Sequence, residues 1–119
     1  MAYFLDSTAM LEIARGNKNY EKFLTEELHT SVLNLHELHS ALLKETDKEK
    51  AEQIFAKLRP LALPFDDSLL FKASHLMIDS EIKMSNADSV GIALAQEKDI
   101  KFLTSNSNLK ALSNTLFVN

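Results

Sequence analysis

Tyr3-Phe4-Leu5-Asp6-Ser7-Thr8 is the stretch on which the fold turns. The apolar run stops at Asp6 and is too short for a helix, so it reads as a buried strand. Ser7-Thr8-Ala9 then offers a helix start. Leu11 and Ala14 continue an apolar face to Arg15, and Gly16-Asn17 stops it as a C-cap glycine would. A buried strand running straight into a helix is the first half of a β-α unit.

Working outward, the same alternation recurs. Tyr20, Phe23, Leu24 and Leu28 fall at helical spacing. Thr30-Ser31-Val32-Leu33 favours β structure and predicts the second strand. Asn34 is placed to cap a helix running to about Glu45, with Leu35, Leu38, Leu42 and Leu43 on its apolar side. A further helix starts at Asp47, carries Ala51, Ile54, Phe55 and Leu58, and ends at Pro60. Leu61 to Phe65 predicts a third strand, weakened or pushed to an edge by Pro64. Asp66 to about Lys83 reads as a helix carrying Leu70, Ala73, Met77 and Ile78. The helix opened by Asn86 is rich in small residues, which lets it lie close against a sheet. Ile100–Thr104 predicts a fourth strand, Ser105–Leu112 a short helix or turn, and Thr115–Val118 a fifth strand. Strands alternating with helices predict an α/β fold: a mostly parallel sheet of about five strands with helices on both faces.

The chain has 119 residues, the size of one domain, so residues 1–119 are expected to form a single unit. Its longest apolar runs are a few residues, and no segment is long enough to span a bilayer. The N-terminus lacks a basic region ahead of an apolar stretch, so no secretory signal is expected. There is no cysteine, which removes disulfides, thiolate catalysis and the common structural zinc sites and fits a cytoplasmic protein. Two glycines leave no Gly-rich phosphate cradle. The net charge of −4 is the wrong sign for a protein that grips nucleic acid by its backbone alone. Contact with nucleic acid then has to be weak, transient or helped by metal ions.

Doubly wound sheets bind ligands at the C-terminal ends of their strands. Asp6 ends the first strand, Glu37 follows the second, Asp88 lies in the first turn of the small-residue helix, and Asn106 follows the fourth strand. Each has an ordinary explanation. Asp6 or Ser7 suits a helix cap, Asn34 with Glu37 matches a capping box, Asp88 complements a helix dipole, and the Ser/Asn cluster at 105–108 suits a turn. If Asp6, Glu37 and Asp88 converge, however, like charges share one crevice and raise one another's pKa values. A hard divalent cation relieves this. Mg²⁺ or Mn²⁺ takes oxygen ligands, uses one or two carboxylates, and assists in-line displacement at a phosphodiester.

The order and spacing of four short pieces resemble the PIN-domain nuclease family, in particular its small VapC-type toxins. They are Tyr3-Phe4-Leu5-Asp6-Ser7-Thr8, Asn34-Leu35-His36-Glu37-Leu38, Ala87–Ala95 and Phe102-Leu103-Thr104-Ser105-Asn106. The resemblance implies a PIN-like three-layer α/β/α sandwich and Mg²⁺- or Mn²⁺-dependent cleavage of single-stranded RNA. It also implies a homodimer and an antitoxin partner, with no membrane association. Asp6, Glu37 and Asp88 fall on the family's main acidic positions, implying metal ligation and catalysis. Thr8 and Thr104 match supporting hydroxyl residues, with Ser7 adjoining them. The family commonly has a fourth Asp where this chain reads Asn106, with Asn108 the alternative alignment. An amide oxygen can bind a cation or a water but adds no charge. The departure opens a second reading, a weakened or inactive PIN-fold module that binds RNA or a protein partner.

Other patterns carry less. His36 and His39 are three residues apart, whereas a zinc protease motif needs four, so helix histidines are expected, one of them within reach of substrate. The mixed-charge run Lys44–Lys57 reads as a solvated helix face. Tyr20, Phe23, Phe55, Leu58, Leu70 and Met77 are expected mostly in the core, some of them in a dimer or partner groove. A phosphoacceptor receiver domain would need paired carboxylates after the first strand and a Lys after the last, and neither is present.

Overall fold

The computed structural model describes residues 1–119. Four parallel strands form one sheet in the order β2-β1-β3-β4: β1 (Ala2–Leu5), β2 (Glu27–His29), β3 (Lys101–Thr104) and β4 (Thr115–Phe117). Five α-helices accompany them: α1 (Ser7–Ala14), α2 (Val32–Glu45), α3 (Lys48–Leu58), α4 (Asp67–Asp79) and α5 (Asn86–Lys98). Each helix starts on an Asp or Ser whose side chain accepts a backbone N–H of the first turn: Asp6, Ser31, Asp47, Asp66 and Ser85.

Strand alternation divides the core in two. Tyr3, Leu5 and Leu103 pack with α1, α2 and α3 through Met10, Leu35, Leu38 and Ala51. Phe4 and Phe102 point the other way, against Leu69 and Ala73 of α4 and Val90 and Leu94 of α5. Phe4 and Phe102 are register partners on β1 and β3, and their rings stack with centroids 5.7 Å apart. The result is the expected α/β/α sandwich. Gly91 sets how close α5 comes. A Cβ there would lie 2.7 Å from Cε1 of Phe4 and 3.0 Å from Cε1 of Phe102, so only glycine allows the helix its seat.

Several sequence expectations need correction. The sheet has four strands rather than about five. The expected strand at Leu61–Phe65 shrinks to an isolated parallel bridge between Thr30 and Ala62, flanked by Pro64, which has no N–H to extend a ladder. The second strand lies earlier than expected. Residues 30–33 favour β structure, but the Ser31 hydroxyl accepts the Asn34 N–H, and this cap commits Val32 and Leu33 to α2. Asn34 is therefore not the cap but a fully buried residue of the first turn. The helix expected around Tyr20–Leu28 is a 3-10 helix over Lys18–Phe23 that gives way to β2. α4 ends at Asp79 rather than near Lys83 and buries Leu69 and Ala73, leaving the expected core residue Leu70 38% exposed and Ile78 80% exposed. Both faces of α4 have helical spacing, and the sequence pattern alone does not separate them. No helix is long and apolar enough to cross a membrane.

Candidate active site

The sheet's C-terminal edge is where β1 and β3 hand the chain to Asp6 and to the 105–108 turn. Asp6 is fully buried. Its Oδ1 accepts the Ala9 N–H at 2.8 Å and the Thr8 hydroxyl at 2.7 Å, and its Oδ2 accepts the Thr104 hydroxyl. Thr8 and Thr104 also touch each other at 3.2 Å and receive the N–H groups of Ser105 and Asn106, each at 3.0 Å. The two threonines thus tie the carboxylate to the turn after β3. Burial pushes the Asp6 carboxyl up to about 6 against these hydrogen bonds, and the nearby charge of Asp88 adds to the rise.

Beside Thr8, which donates to Asp6, opens a cleft of about 450 Å³ that Asp6 itself does not line. Ser7 and Thr8 of α1, Glu37 of α2, Asp88 of α5 and Asn106 line it together. Ser7 Oγ donates to Glu37 Oε1 at 3.0 Å. Asp88 and Ser85 form a reciprocal capping box, with Asp88 Oδ2 accepting the Ser85 N–H and Ser85 Oγ accepting the Asp88 N–H, both at 3.0 Å. Asn106 Oδ1 accepts the Asn108 N–H at 3.0 Å, which caps the 3-10 turn Ser107–Leu109. The cap expected of Asp6, the helix-start role of Asp88 and the turn around Asn106 are therefore real, and Asp88 and Asn106 also line the cleft. The capping box expected at Asn34 and Glu37 is absent, because Glu37 reaches across to Ser7 instead. Asn108 is exposed and does not line the cleft.

No group of three or more His, Asp or Glu residues is drawn together as a ready ligand set. Each acid is turned toward its own local donor. The donor chemistry nonetheless fits Mg²⁺ or Mn²⁺: it is all oxygen, and Glu37 Oε2 and Asp88 Oδ1 accept no hydrogen bond from the protein. Sequence reasoning missed part of the cleft wall. Ser85, Ser40, Ala41 and Lys44 also line it, beside the exposed His36. The signal was there in the i, i+4, i+8 spacing of His36, Ser40 and Lys44 on the helix that carries Glu37.

Set against known proteins, the chain is similar to two solved structures over nearly its whole length. One is PAE2754 from Pyrobaculum aerophilum, at 20% identity with a TM-score of 0.74, covering 99% of this chain and 90% of that one. The other is VapBC2 from Rickettsia felis bound to a DNA fragment from their promoter, at 18% identity with a TM-score of 0.72, covering 100% of this chain and 98% of that one. No curated protein sequence matches. These likenesses concern the fold. The PIN domain family matches residues 3–114, and the chain belongs to the PIN domain family.

Proposed function

We propose that this protein is a metal-dependent endoribonuclease that cleaves single-stranded RNA, the toxin of a toxin–antitoxin pair working in the cytoplasm as a homodimer. The observation that carries the reading is the cleft shared by Glu37, Asp88 and Asn106, whose wall residue Thr8 donates to the buried Asp6. Asp6 and Asp88 would hold Mg²⁺ or Mn²⁺, with Glu37 as a further ligand or as the base that orients the attacking water. The bound ion supplies electrostatic stabilisation of the charge that develops on the phosphodiester. Thr8 and Thr104 fix the Asp6 carboxylate so that it does not reorganise during the reaction. Ser7 steadies Glu37 from the side. Asn106 would contribute its amide oxygen without charge. The fold shared with VapBC2 supports an antitoxin partner.

A second reading rests on one observation. Asn106 stands at a position where an acid is usual in the family the sequence resembles, and its amide oxygen is already taken by the Asn108 N–H. On that reading the chain is a PIN-fold module that binds RNA or protein without cutting. Single-stranded RNA incubated with the protein across a Mg²⁺ and Mn²⁺ titration separates the two. Cleavage that Asp6→Asn abolishes supports the nuclease, and no cleavage by the wild type at any metal level overturns it.

A further inference from the structure

An acidic cleft repels the phosphates it is meant to receive. The protein's net charge is −4, and Glu37 and Asp88 line the cleft. Among the residues that line it, Lys44 is the one permanent cation. Lys44 makes no ion pair with any carboxylate. The neighbouring cation Arg15 does not share that freedom, since its guanidinium is held by Glu12 and Glu45. Lys44 stands in the last turn of α2, where a cation complements the helix dipole. The cap there is already made, however, because the Leu42 carbonyl accepts both the N–H and the hydroxyl of Thr46. A capping role alone also gives no reason for Lys44 to face the cleft.

We infer that the exposed His36–Ser40–Lys44 face of α2 is the track along which a single RNA strand enters the cleft, with Lys44 pairing a phosphate that flanks the one being cut. The inference rests on the ribonuclease reading above and names which side of the cleft the strand runs along. Glu37 and Lys44 are seven residues apart on one helix, about 10 Å along its axis. That puts the lysine a nucleotide or two from the reacting phosphodiester. Ser40, one turn from each, offers a hydroxyl between them, although it also donates to the His36 carbonyl.

The test is the salt dependence of steady-state cleavage of a fluorescein-labelled oligouridine in saturating Mn²⁺. Wild type is compared with Lys44→Ala, Lys44→Arg and, as a cation outside the cleft, Lys72→Ala. One phosphate contact to a single strand accounts for a slope of about 0.7 in log(kcat/KM) against log[salt]. Lys44→Ala is expected to flatten the slope by that amount and to raise KM several-fold with kcat unchanged. Lys44→Arg should restore both, and Lys72→Ala should match wild type. A wild-type slope retained in Lys44→Ala overturns the track while leaving the ribonuclease standing. A wild type that cuts no RNA at any metal level overturns the ribonuclease reading, and the track falls with it.

Discussion

Ser7 Oγ donates to Glu37 Oε1 at 3.0 Å, joining the first residue of α1 to the second turn of α2 across the mouth of the cleft. The two residues are 30 positions apart, and the contact is the one side-chain hydrogen bond Glu37 makes. Ser7→Ala should therefore release Glu37 without disturbing the fold. One such bond contributes about 1 kcal/mol, so RNA cleavage should fall roughly five-fold. Kinetics alongside a thermal melt check this, and a melting temperature that drops with activity would point to a structural role instead.

The buried Asp6 carboxyl gives the ion-free protein a pH-dependent weakness. Its folded pKa is about 6 against an ordinary value of 3.8. The folded state thus holds the proton more tightly than the unfolded one. The associated stability is fully present below pH 3.8 and is lost as pH rises through about 6. The difference corresponds to about 3 kcal/mol at 1.36 kcal/mol per pH unit. Asp6→Asn keeps an oxygen for the Ala9 N–H and carries no charge. In EDTA it should be more stable than wild type at pH 7.5 by up to about 3 kcal/mol, with the gap closing below pH 4. Urea denaturation at the two pH values is the measurement. The same variant should lose RNA cleavage by at least about a hundred-fold.

Mn²⁺ should close most of that gap. An ion that binds only the folded state stabilises it by about 2.7 kcal/mol at a hundred times its Kd. Wild type should gain melting temperature on Mn²⁺ addition at pH 7.5, whereas Asp6→Asn should gain little. Equal gains in both would remove Asp6 from the ligand set.

Asn106→Asp preserves the oxygen that receives the Asn108 N–H, so the turn after β3 should stay as it is. It adds one negative charge to the cleft wall. Half-maximal cleavage should then need less Mg²⁺ than in wild type, by several-fold. A metal titration of cleavage rate decides, and an unchanged midpoint would place residue 106 outside the ion's reach.

Gly91→Ala probes the seat of α5. The added Cβ meets Phe4 and Phe102, both ring atoms in the packed layer between helix and sheet. Overpacking of this kind costs about 1–3 kcal/mol. Because Asp88 lies one turn away on the same helix, activity should fall further than stability alone accounts for. Comparing cleavage at a temperature where both proteins are fully folded separates the two effects.

What the sequence disclosed follows from the strength of local signals. β1 is an uninterrupted apolar run and β3 centres on the apolar pair Phe102-Leu103, so Asp6 and the 104–106 turn were legible, as was the small-residue helix bearing Asp88. β2 was not, because Glu27-Leu28-His29 is an edge strand of three residues with little apolar content. Leu61–Phe65 misled in the opposite direction, since its apolar content serves packing rather than a ladder: Leu63 and Phe65 pack beside α4 and α5, while only Ala62 pairs. Lys44 was hidden inside a charge run that is solvated over most of α3. Composition reports that such a run faces water, not that its first residue faces a cleft.

The placement of β1 between β2 and β3 sets an order of events during synthesis. The strand that leads into Asp6 leaves the ribosome well before its hydrogen-bonding partner β3 and the Thr104 that grips Asp6, which come nearly a hundred residues later. Neither sheet nor carboxylate can be completed by an N-terminal fragment, however long it lingers on the ribosome. Any activity that needs Asp6 in its final geometry is thus withheld until β3 and Thr104 have emerged. A nascent chain released before β3 has emerged therefore lacks the surroundings that hold Asp6 in place.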